Sequence, residues 1–199
     1  MLTFAMMEIV AKKSRKAQIE EKATTLFREK GYAATSMRDL AQVLGIEAAS
    51  LYSHIKSKEE ILQKICFKMA DEFFDAWKEV EMADYTYTQQ MEKAAIAHVK
   101  VITANTDASA VFFNEWRHLS EPHLSEFLQM REDYEGRFIS IIERGMEAGE
   151  FQQVDSKFMM LAIISSLNWT HNWYKPGRKL KPEEVAKKLS NLILNGLKK

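Results

Sequence analysis

Residues 47 to 58, EAASLYSHIKSK, concentrate side chains that can grip a polyanion and read a surface closely. Glu47, Ala48, Ala49 and Ser50 are small or polar at the start of a short helical pattern, so a helix carrying them could approach base edges without collision. Alanine can touch a thymine methyl, and serine can donate or accept at several bases. Tyr52, Ser53, His54 and Lys58 follow as groups able to bind phosphate oxygens and fix a register. Backbone amides at the helix starts near Ser36 and Ser57 are further phosphate donors.

A second constellation lies far along the chain. Phe112, Phe113, Trp116 and Arg117 crowd one short segment, with Asn114 and His118. Trp169 and Trp173, spaced i and i+4, could face them together with Asn168 and Asn172. These residues suit a pocket for an apolar or aromatic small molecule. Arg117, Arg131, Arg137, Lys175 and Arg178 are the cations available to an anionic group at its mouth. Taken singly, each aromatic is also an ordinary core residue. Which cations converge is not fixed by spacing.

Other chemistries find little material. The five His have no spacing typical of zinc ligands, and a single Cys66, in an apolar-periodic run, reads as a buried inert thiol. No Gly-rich phosphate loop and no G-x-S-x-G is present. Carboxylate pairs such as Glu59–Glu60 and Glu183–Glu184 read as helix surface. No catalytic residue, metal or cofactor is therefore expected.

The elements that must position these groups are helices. Seven Gly and three Pro in 199 residues punctuate too sparsely for an all-β chain. Ile19, Ala23, Leu26 and Phe27 form one stripe of a first helix over 15–30, ended by Gly31. Thr35 or Ser36 caps a second, with Asp39 placed for a capping box; Met37, Leu40, Ala41 and Leu44 are its apolar face. Gly45 permits a turn into a third helix over 47–54. Ser57 and Glu60 open a fourth, running to about Val80.

Beyond residue 84 the periodicity predicts helices over 88–104, 109–119, 122–148 and 156–174, the last apolar nearly all round. A final one starts at Pro182, with Val185, Leu189, Leu192, Ile193 and Leu197 at helical spacing. The reading is all-α, with a three-helix helix-turn-helix unit over 1–60 and an effector-binding and dimerisation unit over 61–199, about nine helices in total. Two short helices joined through Gly45 form a helix-turn-helix, whose second helix enters the DNA major groove.

Charge agrees. Residues 1 to 64 carry eleven Lys or Arg against eight Asp or Glu, although the whole chain is neutral. Lys12, Lys13, Arg15 and Lys16 form a basic arm suited to a polyanion. That cluster follows a short apolar piece instead of preceding it, unlike an export signal, and no run reaches the ~18 apolar residues of a membrane span. A cytoplasmic protein without membrane contact is expected.

The residues F-x-x-x-G-Y at 27–32, Thr35-Ser36, Leu40-Ala41, Gly45-Ile46, Leu51-Tyr52, His54 and K-S-K-E-E-I at 56–61 resemble the N-terminal domain of the tetracycline-repressor (TetR) family of bacterial transcriptional regulators. That resemblance implies phosphate contacts from Thr35, Tyr52, His54 and Lys58, a base-reading face over 47–50, and a base or groove contact from Arg38. It also implies a homodimer on a pseudo-palindromic operator, with the last two helices at the interface and a ligand among the middle ones. Three departures bear on the operator: Ser53 where a bulky aromatic is common, Ile55 for Phe, and the negative charge of Glu47.

The segment N-W-x-x-N-W-Y-K-P-G over 168–177, continuing to P-E-E-V-A at 182–186, is similar to the C-terminal signature of a subgroup that senses acyl-CoA thioesters. An acyl-CoA or another hydrophobic molecule is the effector this implies. The rival reading is an all-α small-molecule-binding protein of the same fold without DNA binding.

Overall fold

The computed structural model describes residues 14–81 and 84–198. Lys12 and Lys13 of the basic arm, and the apolar run before them, lie outside the described residues. Ten α-helices appear there: α1 Arg15–Lys30, α2 Met37–Leu44, α3 Ala48–Tyr52, α4 Lys58–Glu81, α5 Tyr87–Ala104, α6 Thr106–Glu115, α7 His123–Glu147, α8 Ser156–Asn168, α9 Thr170–Trp173 and α10 Pro182–Leu197. A 3-10 turn, Trp116–His118, continues α6. The only β pairing among the described residues is one bridge between Phe151 and Lys198.

Local chemistry sets the first four helices. Ser14 caps α1 by accepting from the Ala17 amide, and the expected stripe Ile19, Ala23, Leu26 and Phe27 is buried. Ser36 and Asp39 close a capping box on α2: the Ser36 hydroxyl accepts from the Asp39 amide, and the Asp39 carboxylate accepts from the Ser36 amide at 2.8 Å. Gly45, at φ 63°, sits in the left-handed region that ends α2 and turns the chain into α3. The start of α4 is capped differently from expectation. Ser57 accepts from the Glu60 amide, but the Glu60 carboxylate reaches back to the Lys56 amide.

Helix α4, about 36 Å long at 1.5 Å per residue, leaves this head and becomes a wall of the body through Ile65, Met69, Phe73 and Trp77, all buried. Helix α5 is the hub of the body, packed against α4, α7, α8, α9 and α10. In α7 a Cβ at Gly145 would overlap the Phe151 ring, so this glycine is the notch that seats the aromatic side chain.

Three boundaries differ from the sequence reading. Helix α3 begins at Ala48 and ends at Tyr52, shorter than 47–54. The segment expected over 109–119 is α6 from Thr106, capped by Asn105, followed by the 3-10 turn. The apolar helix expected unbroken over 156–174 breaks at Trp169 into α8 and the single turn α9. His171 contributes to the break by bonding the Asn168 carbonyl oxygen through Nδ1 at 2.6 Å, side chain replacing backbone as partner.

Candidate DNA-reading head and effector cavity

In the head, Leu40, Ala41, Leu51 and Ile55 are buried between α1, α2, α3 and the start of α4. With Leu51 inward, the helical period turns Glu47, Ala49, Ser50, Tyr52, Ser53 and His54 to solvent, while Ala48 is half-buried. Tyr52 is 53% exposed, a large side chain with no core to fill. The outward ridge expected from the sequence is thus present. Arg38 and Ser36 are exposed on α2 and at its cap. Glu47 caps α3 without a side-chain hydrogen bond, leaving its carboxylate open at the helix start.

Two residues anticipated as phosphate ligands are engaged inside the head instead. Thr35 is 2% exposed, and its hydroxyl donates to the Gly31 carbonyl at 2.8 Å. Lys58 donates to the carbonyls of Tyr32 at 2.7 Å and Thr35 at 2.8 Å, with its ammonium 4.2 Å from the Tyr32 ring centroid. Both groups therefore shape the α1–α2 turn and fasten it to α4. The Ser36 hydroxyl is likewise bonded to Asp39, and this holds the Asp39 carboxyl below the usual carboxylate range.

Three contacts tie the head to the segment after α5. Arg28 pairs with Asp107 at the start of α6. Tyr32 stacks on His118, ring centroids 5.1 Å apart. Glu59 accepts from the Ser120 amide at 3.0 Å, a bond that holds its carboxyl below the ordinary value.

The same α6 segment walls a cavity of about 270 Å³ in the body. Phe112, Phe113, Trp116 and Arg117 line it as expected. Across from them stand Phe73 and Phe74 of α4, Phe127 and Tyr134 of α7, and Leu161 and Asn168 of α8. Phe112 meets Phe113 edge-on at 5.0 Å and Phe127 at 5.3 Å, while Trp116 stacks on Phe127 at 5.8 Å.

Of the five candidate cations, Arg117 and Arg131 converge. Their guanidinium carbons lie 4.5 and 5.3 Å from the Trp116 ring centroid, and both line the cavity. Arg131 also pairs with Glu135 at 3.1 Å; Arg117 has no carboxylate partner among the described residues. Arg137 instead pairs with Glu81 at 2.7 Å.

Trp169 and Trp173 are not in the lining, which corrects the expectation. They are 63% and 41% exposed: Trp169, its amide still bonded to the Ser165 carbonyl, continues the outward face of α8 marked by Phe158, Ala162 and Ser165, and Trp173 follows four residues on. With Phe158, Leu161 and, on the adjacent α10, Leu192, they leave large apolar side chains on one side of α8–α10.

Sequence reasoning missed His98 and Tyr134. His98, on the buried face of α5 in register with Ala94, Ala95 and Ile102, bonds Tyr134 Oη through Nδ1 and Asn168 Oδ1 through Nε2, both at 2.9 Å. Burial lowers its pKa to about 4, so the ring is neutral. Burial likewise pushes the Tyr134 phenol up, and Cys66 to about 12, which makes that thiol inert. A histidine within an apolar helical stripe was the available signal.

A larger cleft, about 880 Å³, lies between α1, α4 and the start of α6. It is an open seam lined by Glu20, Thr24, Lys64, Lys68 and Asp107. Its polar, solvent-facing walls offer a hydrophobic effector little burial, so the aromatic cavity is the better effector site.

A short exposed helix behind a glycine turn, carried on a long helix whose far end walls an aromatic cavity, defines a helix-turn-helix DNA-binding regulator. Comparison with known proteins agrees and is specific. The chain belongs to the TetR family: residues 19–65 match the family of bacterial regulatory proteins, tetR family, and residues 84–197 match the tetracyclin repressor-like C-terminal domain.

It is 27% identical over 188 residues to the HTH-type transcriptional repressor KstR2 of Rhodococcus jostii (strain RHA1), covering 94% of this chain and 92% of that protein. The TetR-family regulator PfmR from Thermus thermophilus has TM-score 0.79 and 34% identity, covering 92% of this chain and 100% of that one. AibR, solved in complex with isovaleryl coenzyme A and operator DNA, shares the fold at TM-score 0.78 and 20% identity, covering 89% and 97%. These relatives are transcriptional regulators, not enzymes. No helix among the described residues is long and apolar enough to cross a membrane.

Proposed function

We propose that this chain is a cytoplasmic repressor that holds a pseudo-palindromic operator as a homodimer and releases it when a hydrophobic effector, an acyl-CoA thioester, enters the aromatic cavity. One observation carries the effector reading: Arg117 and Arg131 are stacked together on Trp116 where an apolar hollow meets solvent. That arrangement suits a ligand with an apolar body and an anionic end, since guanidinium groups match phosphate geometry. The complex of AibR with isovaleryl-CoA and operator DNA supports the compatibility of this fold with both ligands.

The head divides from the effector unit near residue 60. Ala48, Ala49 and Ser50 read base edges, with Glu47 selecting for a donor such as a cytosine amino group. Tyr52 and His54 hold phosphates, Arg38 makes a base or groove contact, and Ser53, whose hydroxyl donates to the Ser50 carbonyl, shapes the end of α3. Thr35 and Lys58 act by positioning these groups. The exposed apolar side of α8–α10 seats a second copy, and two-fold pairing places two recognition helices on half-sites one or more turns of ~34 Å apart.

Effector entry presses on α6 and its 3-10 turn, which wall the cavity and also contact Arg28 and Tyr32 of the head, with Ser120 just beyond them bonded to Glu59. The head then shifts with α4, and the spacing of the two recognition helices no longer suits the operator. A differential affinity of ~1–3 kcal/mol between the two states is the usual scale of such coupling.

The test is an electrophoretic shift with DNA upstream of the protein's own operon. A salt-sensitive, sequence-selective complex should form and dissolve on titration with isovaleryl-CoA or another compact acyl-CoA, but not with free CoA. Trp116→Ala should lose the response while keeping operator affinity. Absence of a selective shift would favour the rival protein without DNA binding. A shift indifferent to every thioester would remove the acyl-CoA reading alone.

A further inference from the structure

The inner end of the aromatic cavity is not apolar. His98, Tyr134 and Asn168 come from three helices, α5, α7 and α8, and all three line the hollow. His98 is 2% exposed and uses both ring nitrogens, at 2.9 Å to Tyr134 Oη and 2.9 Å to Asn168 Oδ1. Its ring lies against Phe73, centroids 4.6 Å apart, so aromatic carbon covers it. Among the described residues the Asn168 amide nitrogen has no hydrogen-bond partner, and the Tyr134 hydroxyl has one bond only, to His98. A cavity for a plain alkyl chain gains nothing from these groups, since each loses solvation that hydrocarbon does not restore.

The chemistry of the chain fixes what it offers. Asn168 Oδ1 can only accept, so His98 donates from Nε2 and accepts at Nδ1 from the Tyr134 hydroxyl. That leaves the Tyr134 oxygen as an acceptor and the Asn168 amide N–H as a donor. If the Asn168 amide turns over, the imidazole changes tautomer and the Tyr134 hydroxyl rotates: every bond reverses. Tyr134 then has a proton to donate and Asn168 an oxygen to accept. The neutral imidazole permits both states without moving a charge.

We infer that His98, Tyr134 and Asn168 form a reversible hydrogen-bond reader that selects effectors carrying a carbonyl or hydroxyl oxygen on the compact end buried in the cavity. The volume of about 270 Å³ limits that end to a compact group. This rests on the cavity being the effector site, and it is independent of whether a CoA group follows at the mouth.

The experiment uses full-length protein and three bicyclic probes of nearly one shape: the hydrocarbon tetralin, β-tetralone and β-tetralol. Calorimetric or NMR titration should show ketone and alcohol binding at least about tenfold tighter than the hydrocarbon, because a site built around polar groups rejects an analogue that leaves them unmatched. Tyr134→Phe and Asn168→Leu should each erase that difference while leaving tetralin affinity unchanged or improved. Equal affinity for all three probes in the wild type, or no binding of any, overturns the inference without recourse to a variant. A uniform weakening of all three in both variants would make the chain a structural clip and would also overturn it.

Thioester release of the operator is read separately. If thioesters fail while the probe ranking holds, only the CoA reading falls; if the ranking fails while thioesters act, only the reader falls.

Discussion

The head and the cavity treat polar groups in opposite ways. In the head, Thr35, Ser36, Asp39 and Lys58 bond one another or nearby carbonyls, across separations of 3 to 26 residues. What faces solvent is a short ridge whose shape these bonds set. In the cavity, Asn168 and Arg117 keep unused donors, and the groups that meet there are drawn from 36 to 70 residues apart. A reading surface for a rigid polyanion can be finished in advance. A pocket for a diffusible molecule must leave hydrogen bonds for its visitor to complete.

The sharpest way to break this comparison is to damage one region and ask whether the other notices. Leu51→Ala empties a fully buried position between α3 and the head core. It should cost about 2–5 kcal/mol of head stability and reduce operator binding at least about a hundredfold. Probe binding in the cavity should survive, as read by the same titrations. Loss of both together would show that head and body melt as one unit.

The cavity has its own signature in acid. His98 has a folded pKa of about 4 against an ordinary value of 6.5, so between those limits the unfolded chain holds a proton that the folded chain refuses. Stability contributed by the neutral ring is full above pH 6.5 and is lost as pH falls toward 4. By pH 5 the loss is roughly 2 kcal/mol. Denaturant titrations of wild type and His98→Gln at pH 7 and pH 5 should show the wild type falling further by that amount. Equal falls would mean that His98 titrates normally.

Lys58→Met keeps the aliphatic stem over Tyr32 and removes the ammonium. It should destabilise the head by about 1–3 kcal/mol, since the Thr35 carbonyl loses its Lys58 donor and the Tyr32 carbonyl keeps only the Thr35 amide. If Lys58 only positions, operator affinity should fall while the slope of log affinity against log salt stays as it was. A slope shallower by about one charge would return Lys58 to the phosphate contacts.

The contrast also explains what the sequence could disclose. The head was legible because its determinants are neighbours in the chain. The stripe from Ile19 to Phe27, the Ser36–Asp39 box and Gly45 each fix a local geometry, and together they make the ridge over 47–54. Burial of Thr35 and the inward reach of Lys58 were not legible, since either polar side chain fits surface or interior until its partners are placed.

In the body, Phe112, Phe113, Trp116 and Arg117 fall within six consecutive residues across the end of α6 and its 3-10 turn and could be found together. Tyr134 and His98 could not, because nothing in the spacing of α5 and α7 says which faces meet. Trp169 and Trp173 misled for a related reason. They continue one stripe with Phe158, Ala162 and Ser165, but on a helix apolar nearly all round the spacing does not say which stripe meets the body and which faces away from it.

The smallest expected effects divide the ridge itself. Tyr52→Ala removes a 53% exposed side chain assigned to phosphate and should weaken binding about tenfold, nearly equally on every operator variant. Ser50→Ala should change mean affinity by only about 1 kcal/mol but alter the ranking among variants at one position of each half-site, since base-edge contacts carry sequence and phosphate contacts do not. The measurement is a competition titration over single-base operator variants with each mutant protein. Ser53 accompanies Ser50 as a control: its hydroxyl already donates to the Ser50 carbonyl at 2.7 Å, so Ser53→Ala should leave the ranking untouched. Were Tyr52→Ala to reorder the variants and Ser50→Ala to scale them uniformly, the ridge would be docked with the opposite edge toward the bases, and the assignment of 48–50 to the groove floor would have to be exchanged with that of Tyr52.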